Sequence, residues 1–244
     1  MLQGFTKRKL ASYARRQVGA PLEDMITAGV IGGLAFMPDE WAQRIYPRLF
    51  SNLEFVEQPI QWPTTIQSAT VNLWPGGGLV EPDALISLSG DNAEVRIILE
   101  AKWNSGFSDQ QAIRQWETFH GGPSHWHLLV VRDLHSAEEH IEHVRLEAKR
   151  GNADPLLGRR ICAITWHQLA LNLGSLHGDA PLPLRFWATQ AEETLRAFGE
   201  RLFSGFKAGR TEIAAYTSSL RLDEVNWPRQ AIEALAVQWC PSKR

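Results

Sequence analysis

The stretch VRIILEAKW (95–103) passes through Val95, Ile97, Ile98 and Leu99, then places Glu100 and Lys102 two positions apart. A buried strand that ends in opposite charges is costly unless those charges are paired, hydrogen-bonded or bound to a ligand. Side chains alternate along a strand, so Glu100 and Lys102 share a face with Ile98, while Leu99 and Ala101 take the other. Folding LVEPDALISLS (79–89) back on AEVRIILEAK (93–102) about the turn GDN (90–92) brings Asp83 close to Ile98 and Glu100. Two carboxylates and one amine then meet at the end of a small sheet. Adjacent carboxylates repel, so the arrangement calls for a cation or a proton between them. Oxygen-only ligands select a hard divalent ion such as Mg²⁺ or Mn²⁺. The plain alternative is a structural ion pair at a strand end beside a Pro-Asp turn.

The elements around this hairpin follow from periodicity and punctuation. Residues 21–35, PLEDMITAGVIGGLA, open with Pro21 and early acids and continue as an apolar helix. Gly29, Gly32 and Gly33 indicate close packing there, because the spacing is not that of a phosphate loop and no strand leads in. A second helix is predicted over 38–53, interrupted near Pro47. TIQSATVNLW (65–74) alternates as a strand and WPGGG (74–78) breaks it. SDQQAIRQWETF (108–119) reads as a helix with a Ser N-cap, HWHLLVVRD (125–133) as a buried strand and 135–150 as a surface helix. RRICAITW (159–166) is the last strand, HQLALNL (167–173) a short helix, and helices follow at 186–205 and 227–239. The expected fold is α/β, a mixed central sheet flanked by helices. A basic segment (1–20) precedes this core (21–174), and a helical C-terminal subdomain (175–244) follows it.

Pro82-Asp83, with Glu100-Ala101-Lys102 seventeen positions after the aspartate, resembles the PD-(D/E)xK nuclease superfamily. The order helix, three strands, helix, strand between 21 and 133 is similar to that superfamily's core, the restriction-endonuclease-like fold. The resemblance implies Mg²⁺- or Mn²⁺-dependent hydrolysis of phosphodiester bonds in DNA. It assigns Asp83, Glu100, Lys102 and Gln111 to catalysis. It assigns Glu23, Asp83, Glu100 and the carbonyl of Ala101 to the metal, with Glu23 preferred over Asp24 for the acid on the first helix. Lys102 would orient or activate the attacking water. The family's helix often carries a glutamine followed four residues later by a tyrosine. Here Gln111 is followed by Gln115, and Trp116 lies one step beyond.

The rest of the chain narrows the field. Its 244 residues, 44% apolar and 21% charged with a net charge of −2, are those of an ordinary globular protein without a global basic field. Cys162 and Cys240 match no metal or redox spacing, and no apolar run reaches membrane-spanning length, so a cytoplasmic protein is expected. Lys7, Arg8 and Lys9, with Arg15 and Arg16, precede any acid and suit phosphate. Trp103 is a candidate for stacking on a base. Lys149, Arg150, Arg159 and Arg160 read as solubilising surface before phosphate contacts. His140 and His143 share a helix face among glutamates and read as a solvated face rather than a zinc site. His125 and His127 read as edge decoration at a strand start.

The expected role is a metal-dependent nuclease of a restriction, repair or phage-defence system, with a homodimer or partner subunit held through the C-terminal helices. Two rivals remain: a catalytically silent nucleic-acid-binding or assembly module on the same fold, and an interaction protein whose helical tail does the work.

Overall fold

The computed structural model describes residues 22–197 apart from 77–79, 92 and 179. Lys7, Arg8, Lys9, the end of the helix expected over 186–205 and the whole of 227–239 lie outside the described residues. The described residues all belong to one unit, Met1–Leu202.

Five strands form a single open sheet in chain order: β1 (Ser68–Leu73), β2 (Ala84–Gly90), β3 (Ala93–Ala101), β4 (His125–Val131) and β5 (Ile161–Thr165). The pairs β1–β2 and β2–β3 are antiparallel, whereas β3–β4 and β4–β5 are parallel. The antiparallel half needs only turns, while each parallel step needs a helical crossover. Those crossovers are α3 (Gln111–Thr118) between β3 and β4, then α4 (Leu134–Arg150) and α5 (Pro155–Arg160) between β4 and β5. The other helices are α1 (Leu22–Val30), α2 (Asp39–Leu49), α6 (Trp166–Ser175) and α7 (Leu182–Ala197).

Alternation along β3 divides the core into two layers. Ile97, Leu99 and Ala101 pack in the larger apolar cluster with α1, α2, α6 and α7. Ile98 faces the smaller one, with Ala112, Ile113 and Trp116 of α3 and Ile141 and Val144 of α4. Burying both faces explains why β3 and β4 read as near-continuous apolar runs. Each fully buried Ile or Leu contributes about 1.5–3 kcal/mol of transfer free energy.

Several expectations change with this packing. The apolar helix over 21–35 stops at Val30 and gives way to a 3-10 turn, Gly32–Phe36. A Cβ on Gly33 would lie 2.1 Å from Trp187 Nε1, so the close packing expected of these glycines is present. The strand expected from 79 begins only at Ala84. Arg159 and Arg160 belong to α5, not to a strand. Asp154 caps that helix by accepting from the Leu156 amide at 2.8 Å, with Pro155 in the first turn. No boundary falls near residue 174, because Leu184, Trp187, Ala188 and Leu195 of α7 complete the larger core. His125 and His127 are not edge decoration: every residue of β4 is buried between β3 and β5. Nor is His140 on a solvated face; it is buried and stacked on Phe107 at 4.6 Å. Among the described residues no helix is long and apolar enough to cross a membrane.

Gly90 closes the β2–β3 hairpin opposite Ala93, and Asp91 turns the chain with φ at 37°. A Cβ on Gly90 would sit 1.7 Å from the Thr65 carbonyl oxygen, a backbone atom that cannot swing away. Gly90→Ala is therefore expected to lower unfolding free energy by about 1–3 kcal/mol. Gly178→Ala, where no atom lies within 4 Å of the added carbon, is expected to stay within about 0.5 kcal/mol of the parent. Urea titrations of the two variants make the comparison.

Candidate active site

The register Ala84↔Leu99 places Asp83, one step before β2, across the hairpin from Glu100. Asp83 is held there at three points. Its carbonyl accepts from the Trp74 amide at 3.0 Å. Its carboxylate accepts from the Ala101 amide at 2.8 Å through Oδ2, and from Trp74 Nε1 at 3.3 Å through Oδ1. Asp83 is 8% exposed and Glu100 3%, so both carboxyls sit inside the protein.

Glu100 is held more tightly still. Its Oε1 accepts from Lys102 Nζ at 2.6 Å and from Gln111 Nε2 at 2.6 Å. Its Oε2 accepts from Gln115 Nε2, also at 2.6 Å. The two glutamines stand four positions apart on α3 and so lie on one helix face above the carboxylate. Gln115 was missed as a site residue. Its four-residue step from Gln111 was the available signal, because the position expected to hold a tyrosine holds another donor.

Lys102 is anchored through its backbone, donating to Val130 O at 2.7 Å and accepting from Trp166 Nε1 at 3.0 Å. Its ammonium also approaches Glu23 Oε1 at 3.4 Å and the Phe107 ring centroid at 5.9 Å. Glu23 projects from the first turn of α1. Its second oxygen accepts from the Trp103 amide at 2.9 Å and from Ser105 Oγ at 2.6 Å. Trp103 itself is 4% exposed and tilted against Trp166 at 6.1 Å. Its ring is core, so the expected stacking face for a base is not presented. Arg132, just past β4, lies over that ring at 5.5 Å and donates to Asn104 Oδ1 at 3.1 Å.

The other basic group lies at the far end of the parallel strands. Arg150 pairs with Glu147 at 2.9 Å, and Arg160 donates to Gln58 at 2.8 Å while covering Trp126.

Electrostatics explains why so many donors converge. Burial, then the charge of Glu100, pushes the Asp83 carboxyl up to about 8. Burial raises Glu100 too, against the pull of Lys102 and Gln115. Desolvation alone would lower Lys102, but the charges of Glu100, Glu23 and Asp83 outweigh it and raise the amine. Lys102 is therefore an ammonium, a donor and not a base. Once ionised, three carboxylates against one ammonium would leave excess negative charge in a low-dielectric place, which a divalent cation would stabilise.

Among the described residues no group of three or more His, Cys, Asp or Glu side chains is arranged to hold a metal ion. Asp83 and Glu100 meet as a pair, with Glu23 reaching them through Lys102. Two carboxylates still fit Mg²⁺, which characteristically keeps several waters and takes one or two protein carboxylates plus substrate phosphate. No protein-family model, no curated protein and no solved structure matches the chain. The geometry therefore carries the functional argument.

The raised Asp83 carboxyl has a sign that can be checked. Below about pH 4 it is protonated in both folded and unfolded chains and costs nothing. As pH rises toward 8 the unfolded carboxyl ionises freely while the folded one resists, so native stability is lost. Asp83→Asn forfeits one hydrogen bond at every pH but cannot ionise. Its thermal midpoint is thus expected to gain steadily on the parent's between pH 4 and pH 8, in melts without divalent ions.

Proposed function

We propose that this chain is a metal-dependent nuclease of PD-(D/E)xK type, with a restriction-endonuclease-like core, hydrolysing phosphodiester bonds in DNA. The observation that carries this reading is the state of Glu100. A carboxylate at the end of a buried strand is gripped by an ammonium and two amides, directly across a hairpin from a second buried carboxyl. A structural ion pair needs no second carboxyl, and the Ala101 amide and Trp74 indole that Asp83 accepts from could be served by a neutral side chain without the repulsion. In this reading the chain serves, in the cytoplasm, a restriction, repair or phage-defence system.

Asp83 and Glu100, with the Ala101 carbonyl, would hold one or two Mg²⁺ or Mn²⁺ ions. Such an ion polarises a phosphoryl oxygen, lowers the pKa of its water and stabilises the leaving oxygen. Lys102, kept charged by its acidic neighbours, donates to the attacking water or to phosphate oxygen and offsets the charge that develops there. Gln111 and Gln115 fix both Glu100 oxygens so that little reorganisation accompanies the reaction. Glu23 holds the backbone after β3 and one side of the Lys102 ammonium. Arg132, held flat by Trp103 and Asn104 beside the site, suits a neighbouring backbone phosphate.

The short Lys102–Glu100 contact also suits a catalytically silent module, in which the ammonium serves as the permanent counter-ion. Incubation with plasmid and single-stranded DNA in Mg²⁺, Mn²⁺ or EDTA separates the two. Cutting that requires the metal and falls about 100-fold or more in Asp83→Ala and Lys102→Ala is expected. DNA binding without cutting would identify the silent module. Mn²⁺ is further expected to raise the parent's thermal midpoint at pH 8 and leave that of Asp83→Ala unmoved. Arg132→Ala should weaken DNA binding evenly across sequences and flatten its salt dependence by about one ion.

A further inference from the structure

One buried polar chain is not consumed by the metal, the water or the phosphate. Gln115 is fully buried, and its Nε2 donates to Glu100 Oε2 at 2.6 Å. An ionised carboxylate can only accept, so with Glu100 paired to the Lys102 ammonium the amide turns its nitrogen toward it. The other end, Oε1, then lies 2.8 Å from His127 Nε2. A carbonyl oxygen also only accepts, so His127 Nε2 must carry the hydrogen, and Nδ1 is the bare nitrogen. That Nδ1 is buried with no hydrogen-bond partner.

His127 is 0% exposed and lies on β4 opposite Ile98, two positions before Leu129, which pairs with Glu100. It therefore shares the face on which Glu100 points. An aliphatic residue there would pack with Leu129 and Val131 and leave no orphaned nitrogen, which costs about 1–3 kcal/mol. What the imidazole adds is a hydrogen-bond donor aimed at one oxygen. Without it the Gln115 amide can turn over, and its carbonyl would then face the Glu100 carboxylate and repel it.

We propose that His127 is a positioning residue: through its Nε2–H it locks the Gln115 amide, which in turn fixes Glu100 in the orientation that receives a divalent cation. The inference rests on the metal-dependent reading of the site and extends it by one strand. Groups of this kind, standing behind a ligand, typically control metal affinity by 10–100-fold.

The test uses Mn²⁺ itself, titrated calorimetrically into the full-length protein, with plasmid cleavage as a second readout. His127→Leu removes the donor at similar volume and is expected to weaken Mn²⁺ binding about 10-fold or more with its thermal midpoint retained. His127→Gln, whose amide nitrogen can occupy the place of Nε2, is expected to restore affinity to within about 3-fold of the parent. Gln115→Leu should weaken binding comparably, and the double variant with His127→Leu no further, because the two residues act as one unit.

Nitrogen NMR of the parent supplies a readout independent of any variant, with the Nε2–H tautomer expected for His127. An Nδ1–H tautomer, or unchanged Mn²⁺ affinity in His127→Leu, overturns the inference while leaving the nuclease reading in place. A parent protein that neither binds Mn²⁺ nor cleaves DNA removes both.

Discussion

Glu100 is a carboxyl nearly sealed from water and set at the end of a strand whose three preceding residues are fully buried. Ionised carboxylates are not tolerated in such a place without compensation, and the surrounding structure can be traced as the compensation it demands. Lys102 supplies a charge from the same strand. Gln111 and Gln115 supply amide donors from the following crossover helix. Asp83 works against these, since its nearness raises the cost of ionising either acid. A neutral amide at position 83 could still accept from the Ala101 amide and would relieve the repulsion, so hydrogen bonding alone does not call for an acid there. The local electrostatic conflict, more than any one hydrogen bond, is what supports the proposed metal site at this end of the sheet.

The conflict is placed where the sheet changes character. Among the described residues, β3 is the one strand with an antiparallel neighbour on one side and a parallel neighbour on the other. On the antiparallel side, the chain entering β2 arrives beside the end of β3. On the parallel side, β4 ends alongside it. The loop leaving β3 must cross this junction before entering α3, and Glu23 secures that loop through the Trp103 amide and Ser105. Separate parts of the chain thereby meet at one spot, which adds Glu23 and the two glutamines to the acids and lysine that the hairpin already brings together.

The hairpin, the charged strand end and the glutamine-bearing helix were legible because each rests on a local pattern. Turn residues at 90–92, alternation on either side and the Glu100–Lys102 spacing placed Asp83 opposite Glu100 before any coordinates. The misses share a different cause. His127 and His140 were assigned to the surface because histidine is polar, yet their neighbours Leu129, Val131 and Ile141 are core, and position outweighed residue type. Trp103 follows a functional lysine, but Trp166 from far along the chain claims its ring. The helix Pro155–Arg160 was written locally, in Asp154 and Pro155, and was overlooked because the basic pair after it reads as a strand start. α7 docks on a core surface that α1 and α6 create only once folded.

The match between strand order and chain order has a kinetic meaning. The antiparallel half, β1 to β3, can form through short connections, whereas β4 and β5 each wait on a helical crossover, and parallel pairing of that kind is slow. The contact from Glu23 to the Trp103 amide closes over a longer span than any of the strand pairings, joining positions 80 apart. Such a closure is entropically unfavourable until the intervening sheet exists. A partly opened chain that keeps the hairpin therefore still holds Asp83 beside Glu100, while Glu23 reaches them only where α1 has met the finished sheet.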